Sequence, residues 1–173
     1  PSPMSIAAMF DRVRSAYSGE ADRPLGGYLA AMGTYAGLVG VAVAVGRRRG
    51  ARLPERLSAG DIALLAVATH KSSRLLTKSA VGSAVRAPFT RYEEPAGLAE
   101  VNESVRGGSG VRHSVGELVS CPFCSGVWIA GALTAGLVLA PRASRLVAGA
   151  LAAVAGSDWL HLGYDLAKRA AQD

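Results

Sequence analysis

No Asp, Glu, Lys, Arg or His occurs between Leu118 and Ala140, and Pro141 closes the run. A helix needs about 20 apolar residues to cross the hydrocarbon of a bilayer, and this stretch supplies them. A second charge-free run extends from Leu25 to Gly46, with Tyr28 near one boundary as an interfacial aromatic. Inside lipid every backbone N–H and C=O must pair within the protein, so two such runs commit the chain to membrane helices. Composition agrees. Only 18% of residues are charged, against roughly 25% in an average soluble domain. The apolar residues are mainly Ala, Val and Leu, with aromatics at 6%, which suits helices packed closely in a membrane. The expected fold is all-α: a polytopic membrane protein with three spanning helices, or four, plus an N-terminal amphipathic helix.

The chain divides into residues 1–24, residues 25–164 and a polar tail over 165–173. In the first part Ile6, Met9, Phe10, Val13 and Tyr17 recur at helical spacing, with Asp11, Arg12 and Arg14 on other faces. This predicts a short amphipathic helix that lies in the membrane interface, packs on a partner or covers the protein's own surface. It ends at Ser18-Gly19, and Glu20 to Arg23 form a polar hinge. Targeting rests on the first membrane helix, since Pro1 to Tyr17 lacks the apolar core of a cleavable signal.

Within the first span, Gly33 and Gly37 form a GxxxG pattern that would let another helix approach closely. Arg47, Arg48, Arg49, Arg52 and Arg56 follow at once, a cluster expected on the cytoplasmic side and compatible with anionic lipid. Ser58-Ala-Gly-Asp61 resembles an N-cap, and Ile62 to Thr69 is apolar before His70, Lys71 and Arg74 interrupt it. That segment is a core-packed helix, a half-inserted helix or a true span whose polar residues face other helices. Counting charges favours the first two. If the segment stays on one side, 14 of the 19 Lys and Arg share that side with the C-terminus. Four spans with the N-terminus inside give 12 against 7 and leave the Arg47 cluster outside. Three spans are therefore expected, with the thiols of Cys121 and Cys124 at the cytoplasmic end of the long span.

Residues 77–117 form a polar loop, the least ordered part by composition. Arg86 to Thr90 reads as extended or turning, Tyr92-Glu93-Glu94-Pro95 as a turn, and Arg106 to Gly110 as a flexible link. Ser114-Val-Gly-Glu117 matches a capping box. After Pro141 to Arg145, a tight polar connection, Leu146 to Tyr164 forms an antiparallel helix carrying Asp158 and His161, with Trp159 as an interface anchor.

Cys121-Pro122-Phe123-Cys124 contains the only cysteines. Proline suits the first helical position, which makes Cys121 the N-cap and places both sulfurs in the first turn. There the helix dipole and unpaired N–H groups stabilise a thiolate, so the pKa of Cys121 is expected below the ordinary thiol value.

The pattern resembles a family of small bacterial integral-membrane proteins met among spore-formers, which share domain of unknown function 1360. The resemblance rests on Gly27-Tyr28, Ala68-Thr69 with Lys71 to Lys78, Arg86 to Thr90, Gly116-Glu117-Leu118, Cys121 to Cys124, Gly126-Val127-Trp128 and Gly156-Ser157-Asp158. It implies a multi-pass plasma-membrane address and no reaction.

Three functions remain open. Cys121 and Cys124 have the spacing for thiol-disulfide exchange, similar locally to glutaredoxins although the surrounding chain is not. Zinc or iron is a second option, held by Cys121, Cys124 and His113 with a fourth ligand from elsewhere. The third is structural: an accessory or scaffold subunit in which Asp158 pairs with Lys71 or Arg74 between helices, while Gly33, Gly37 and Trp128 pack. This third reading is preferred, with no resident cofactor and no enzymatic activity expected, since neither a nucleotide loop nor a nucleophile elbow is present. The partners expected are the lipid bilayer and a protein partner or second copy. The net charge of +6 is not a nucleic-acid signature here, because no aromatic and basic interleaving accompanies it.

Overall fold

The computed structural model describes residues 5–18, 23–107 and 110–172. Seven helices and one hairpin follow in chain order: α1 (Ile6–Ser18), α2 (Leu25–Arg48), α3 (Ala59–Thr77), α4 (Ser83–Arg86), β1 (Thr90–Gly97), β2 (Glu100–Val105), α5 (Val111–Ser120), α6 (Pro122–Leu139) and α7 (Pro141–Ala170). Three of these, α2, α6 and α7, are long and apolar enough to cross a membrane. The hinge expected over residues 20–23 falls largely, and the link over 106–110 partly, outside the described residues.

The interior is built from small side chains. Ala68, Ala148 and Ala155 are the buried apolar residues of the described chain, so helix backbones approach closely instead of enclosing a bulky core. Among the helices, packing is densest where α3 meets α6 and α7. Gly126 of α6 faces Thr69 of α3, where an added Cβ would lie 3.8 Å from Thr69 Cγ2.

The direction of each helix follows from its contacts. Arg145 at the start of α7 donates from Nε to Asp61 Oδ1 at 3.0 Å, at the start of α3, and Lys71 Nζ meets Asp158 Oδ2 at 2.5 Å further along both. Helices α3 and α7 are therefore parallel. Helix α6, joined to α7 through the single residue Ala140, is antiparallel to both. Helix α2 runs parallel to α6: Tyr35 stacks edge-on against Trp128 with centroids 5.2 Å apart, and Gly46 lies against Leu139.

The three long apolar helices expected from the sequence are present, and these directions place α3 beside them. Helix α3 is 19 residues long, about 28 Å at 1.5 Å per residue, and lies alongside α6 and α7 through the same depth. It is not among the three helices apolar enough to cross a membrane, but it packs within the bundle and runs opposite to α2 and α6. The Arg47 cluster therefore sits at one end of the bundle, with Asp61 and Arg145, whereas Cys121 and the hairpin sit at the other. Pairing holds α3 in place there: Lys71 and Arg74 are met by Asp158 and Glu100.

Helix termini explain the boundaries. Ser58 caps α3 as expected, its Oγ accepting from the Asp61 N–H at 3.0 Å. Gly50, with φ of +63°, turns the chain back after α2, a conformation that costs glycine little. Ser114 does not start a helix; α5 begins at Val111 with Gly110 before it, so the capping-box reading fails. Helix α7 begins at Pro141 and runs 30 residues, so the expected connection over Pro141 to Arg145 is already its first turn.

The polar loop is folded. Strands β1 and β2 pair antiparallel from Thr90↔Val105 to Gly97↔Glu100, and Tyr92 to Pro95 lie within β1, where a turn was expected. The reversal falls at Leu98 and Ala99, the latter at φ of +58°. Helix α1 buries no residue, so it does not cover the rest of the described chain. A Cβ added at Gly33 or Gly37 would meet nothing within 4 Å; the GxxxG face is unpacked within one chain.

Candidate functional site

The thiol end of the bundle gathers most of the chemistry-bearing residues. Cys121 has extended backbone (φ −107°, ψ 112°) and caps α6, its Sγ accepting from the Cys124 N–H at 3.3 Å. Pro122 occupies the first helical position, as the sequence predicts. Both cysteines are free; Cys121 is half-buried and Cys124 exposed. Burial raises the Cys121 thiol, but hydrogen bonds from the Cys124 side chain and from the Cys124 and Phe123 N–H groups, with Lys78 nearby, hold it below the ordinary value. The expected thiolate stabilisation is present.

His113 is engaged elsewhere. Its Nε2 lies 3.5 Å from Glu117 Oε1, one helical turn on, and Glu117 also faces Arg23 at 3.6 Å. Among the described residues no three His, Cys, Asp or Glu side chains converge in a group that would hold a metal ion. In this structure His113 faces Glu117, one turn along α5.

A cleft of about 680 Å³ opens between α3, α7 and the hairpin tip, and His70, Lys71, Arg74, Glu100, Asp158 and His161 line it. Lys71 takes Asp158, whereas Arg74 turns to Glu100, with Nε donating to Oε1 at 3.0 Å. The two partners weighed for Asp158 are thereby separated.

The most organised polar cluster is one that sequence reasoning did not single out as a site. Arg86 at the end of α4 is fully buried, with 0% of its side chain exposed, and Glu103 of β2 faces it at 3%. Arg86 Nε donates to Glu103 Oε2 at 2.8 Å and Nη2 to Oε1 at 2.9 Å, while Nη1 reaches the Leu76 carbonyl at 2.7 Å and Nη2 the Ser79 carbonyl at 3.0 Å. Ser83 and Thr90 hydroxyls donate to the same carboxylate, at 2.7 Å each. Burial alone would raise the Glu103 pKa, but the hydrogen bonds from Arg86, Ser83 and Thr90 outweigh it and bring it down to about 2. One guanidinium therefore fastens β2, α4 and the end of α3 together. The signal in the sequence was the resemblance motif Arg86 to Thr90, whose two polar ends meet on one carboxylate.

Glycines set the close approaches. A Cβ at Gly27 would overlap Ser114 Oγ and stand 2.7 Å from the Gly110 carbonyl, and one at Gly116 would stand 2.9 Å from the Phe89 carbonyl. These contacts press α5 against α2 on one side and against the hairpin on the other.

Residues 64–164 match the family described as "Protein of unknown function (DUF1360)". The chain belongs to this family. The matched region runs from α3 through the hairpin and thiol pair to the late part of α7, and so contains the Arg86 clasp, most of the cleft and both cysteines. A Bacillus subtilis (strain 168) relative, "Sporulation protein YjcA", is 34% identical over 110 residues, covering 57% of this chain and 92% of the relative. No solved structure matches.

Proposed function

We propose that this member of the DUF1360 family is a non-enzymatic accessory subunit of a protein complex in a bacterial plasma membrane, with the cap built from α4, α5 and the hairpin as its docking element. The observation that carries the reading is the Arg86–Glu103 clasp. A buried ion pair is weak evidence for stability as such and is more readily understood as fixing one geometry. Here it holds rigid a cap whose outer strand is uncovered: seven of eight β1 residues are exposed, including Tyr92 at 58%, and Leu98 at the tip is 85% exposed. Pro95 and two register irregularities interrupt β1, which guards its edge against strand addition, so a partner would meet side chains. Sporulation, the process named in the relative, is carried over with this reading.

Photo-crosslinking residues placed at Tyr92 and Leu98 test it. Discrete higher-mass adducts in cells are expected at both positions, and their absence, with a solitary monodisperse protein that shows turnover, would overturn the proposal.

The thiols support a second reading, membrane-surface thiol-disulfide exchange. Its basis is the exposed Cys124 beside a Cys121 thiol that is held low by hydrogen bonds from the Cys124 side chain and from the N–H groups at the helix start. A Cys121→Ser chain with unchanged phenotype, together with an ordinary thiol pKa in the parent, would remove it.

A further inference from the structure

One end of the bundle carries a cluster of cations that the described chain does not neutralise, although Arg145 at that end pairs with Asp61. At the thiol end Lys71, Arg74 and Arg86 are each met by a carboxylate. At the other end Arg47, Arg48, Arg49, Arg52 and Arg56 crowd ten residues with only Glu55 among them. None of the five forms an ion pair within the described chain.

Arg47 also lines an apolar slot of about 800 Å³ between α2 and α6, walled by residues such as Val39, Val43, Ala135 and Val138. That volume is within the roughly 300–1,000 Å³ of small-molecule sites. Gly50 turns the chain so that Ala51 and Leu53 fold back to the mouth, where the Ala51 N–H donates to the Gly46 carbonyl at 2.9 Å. The inner end is closed by Tyr35. Its ring stacks on Trp128, and its Oη lies only 2.6 Å from where a Cβ on Gly131 would be.

Length discriminates between occupants. From Tyr35 to Arg47 the slot follows α2 for about 18 Å, against about 15 Å for the hydrocarbon of one leaflet. A second membrane helix would need a seam through both leaflets, whereas an acyl chain needs one. At the mouth Arg47 supplies an unpaired guanidinium, with four more arginines within the next nine residues, and guanidinium groups bind phosphate in a bidentate manner.

We infer that the slot between α2 and α6 holds one acyl chain of an anionic phospholipid, whose phosphate rests on Arg47 and the neighbouring arginines. This rests on the membrane placement of α2 and α6, and not on the accessory role.

The full chain, purified in mild detergent and stripped of lipid by exchange, is titrated with phosphatidylglycerol or with phosphatidylcholine of the same acyl chains. Bound lipid is counted by native mass spectrometry. One phosphatidylglycerol should be retained, at least tenfold more tightly than phosphatidylcholine. Arg47→Gln should reduce its retention to the phosphatidylcholine level. Ala42→Phe, which fills the slot and keeps every charge, should do the same; Ala135→Leu replaces it if thermal unfolding shows that the larger side chain prevents folding. Equal retention of the two lipids overturns the inference. So does undiminished phosphatidylglycerol binding in the filled variants, which would reduce the arginines to a surface patch, and so does a dimer that excludes lipid. A chain that stays a monodisperse monomer in detergent-free buffer would instead remove the membrane placement itself.

Discussion

Replacing Arg86 tests the clasp directly. The guanidinium makes five hydrogen bonds, three to Glu103 and Ser83 side chains and two to the Leu76 and Ser79 carbonyls. Arg86→Met keeps much of the buried volume but leaves a carboxylate that is 3% exposed without its cation, and two carbonyls without a donor. Breaking a buried pair by removing one partner costs about 3–5 kcal/mol, because the surviving charge stays desolvated. Glu103 retains the Ser83 and Thr90 hydroxyls, so the lower half of that range is expected. Denaturant unfolding in detergent gives the total, and hydrogen exchange resolved to β2 and the end of α3 shows whether the loss is local. Adding Glu103→Gln neutralises the stranded carboxylate and should recover about 2 kcal/mol, a non-additivity that a double-mutant cycle reads directly. A single-variant loss below about 1 kcal/mol, or strictly additive losses, would refute the reasoning.

Acid should loosen the cap. Glu103 is lowered from an ordinary 4.5 to about 2; a depressed carboxylate contributes stability that is complete above about pH 4.5 and is lost as pH falls toward 2, in all about 3 kcal/mol. Exchange protection of β2 should fall over that window in the parent and far less in Arg86→Met. For topology, Leu53→Cys in a Cys121→Ser/Cys124→Ser background should label from the opposite side of intact cells to the native thiols; labelling from the same side would refute the placement of these residues at opposite ends of the bundle. Gly27→Ala and Gly116→Ala should each cost about 1–3 kcal/mol by overpacking against backbone carbonyls, whereas Gly33→Ala and Gly37→Ala, with open space around them, should leave monomer stability unchanged or raised by up to about 1 kcal/mol in thermal unfolding.

Much of this protein is legible in its residues taken locally. The run from Leu25 gives α2 almost to the residue, and Pro122 after Cys121 gives the cap and the start of α6, because spans and caps are set by residues within a few positions of each other. Asp158 could be assigned a partner in α3 for the same reason that any charge at that depth needs one. Which partner, and which way α3 runs, was not local information. Lys71 and Arg74 read locally as interruptions of an apolar run, since their partners Asp158 on α7 and Glu100 on the hairpin lie 87 and 26 positions away.

Sequence by itself therefore determined that the chain is a bundle of apolar helices with two thiols at a helix start, since hydropathy and capping depend on neighbours in the chain. Tertiary structure alone decided that the thiols and the Arg47 cluster occupy opposite ends, that Tyr92 to Pro95 form a strand, and that Arg86 is the buried clasp of the cap. Those outcomes depend on long-range pairing of charges and hydrogen bonds, which cancels desolvation costs that no stretch of sequence can cancel alone.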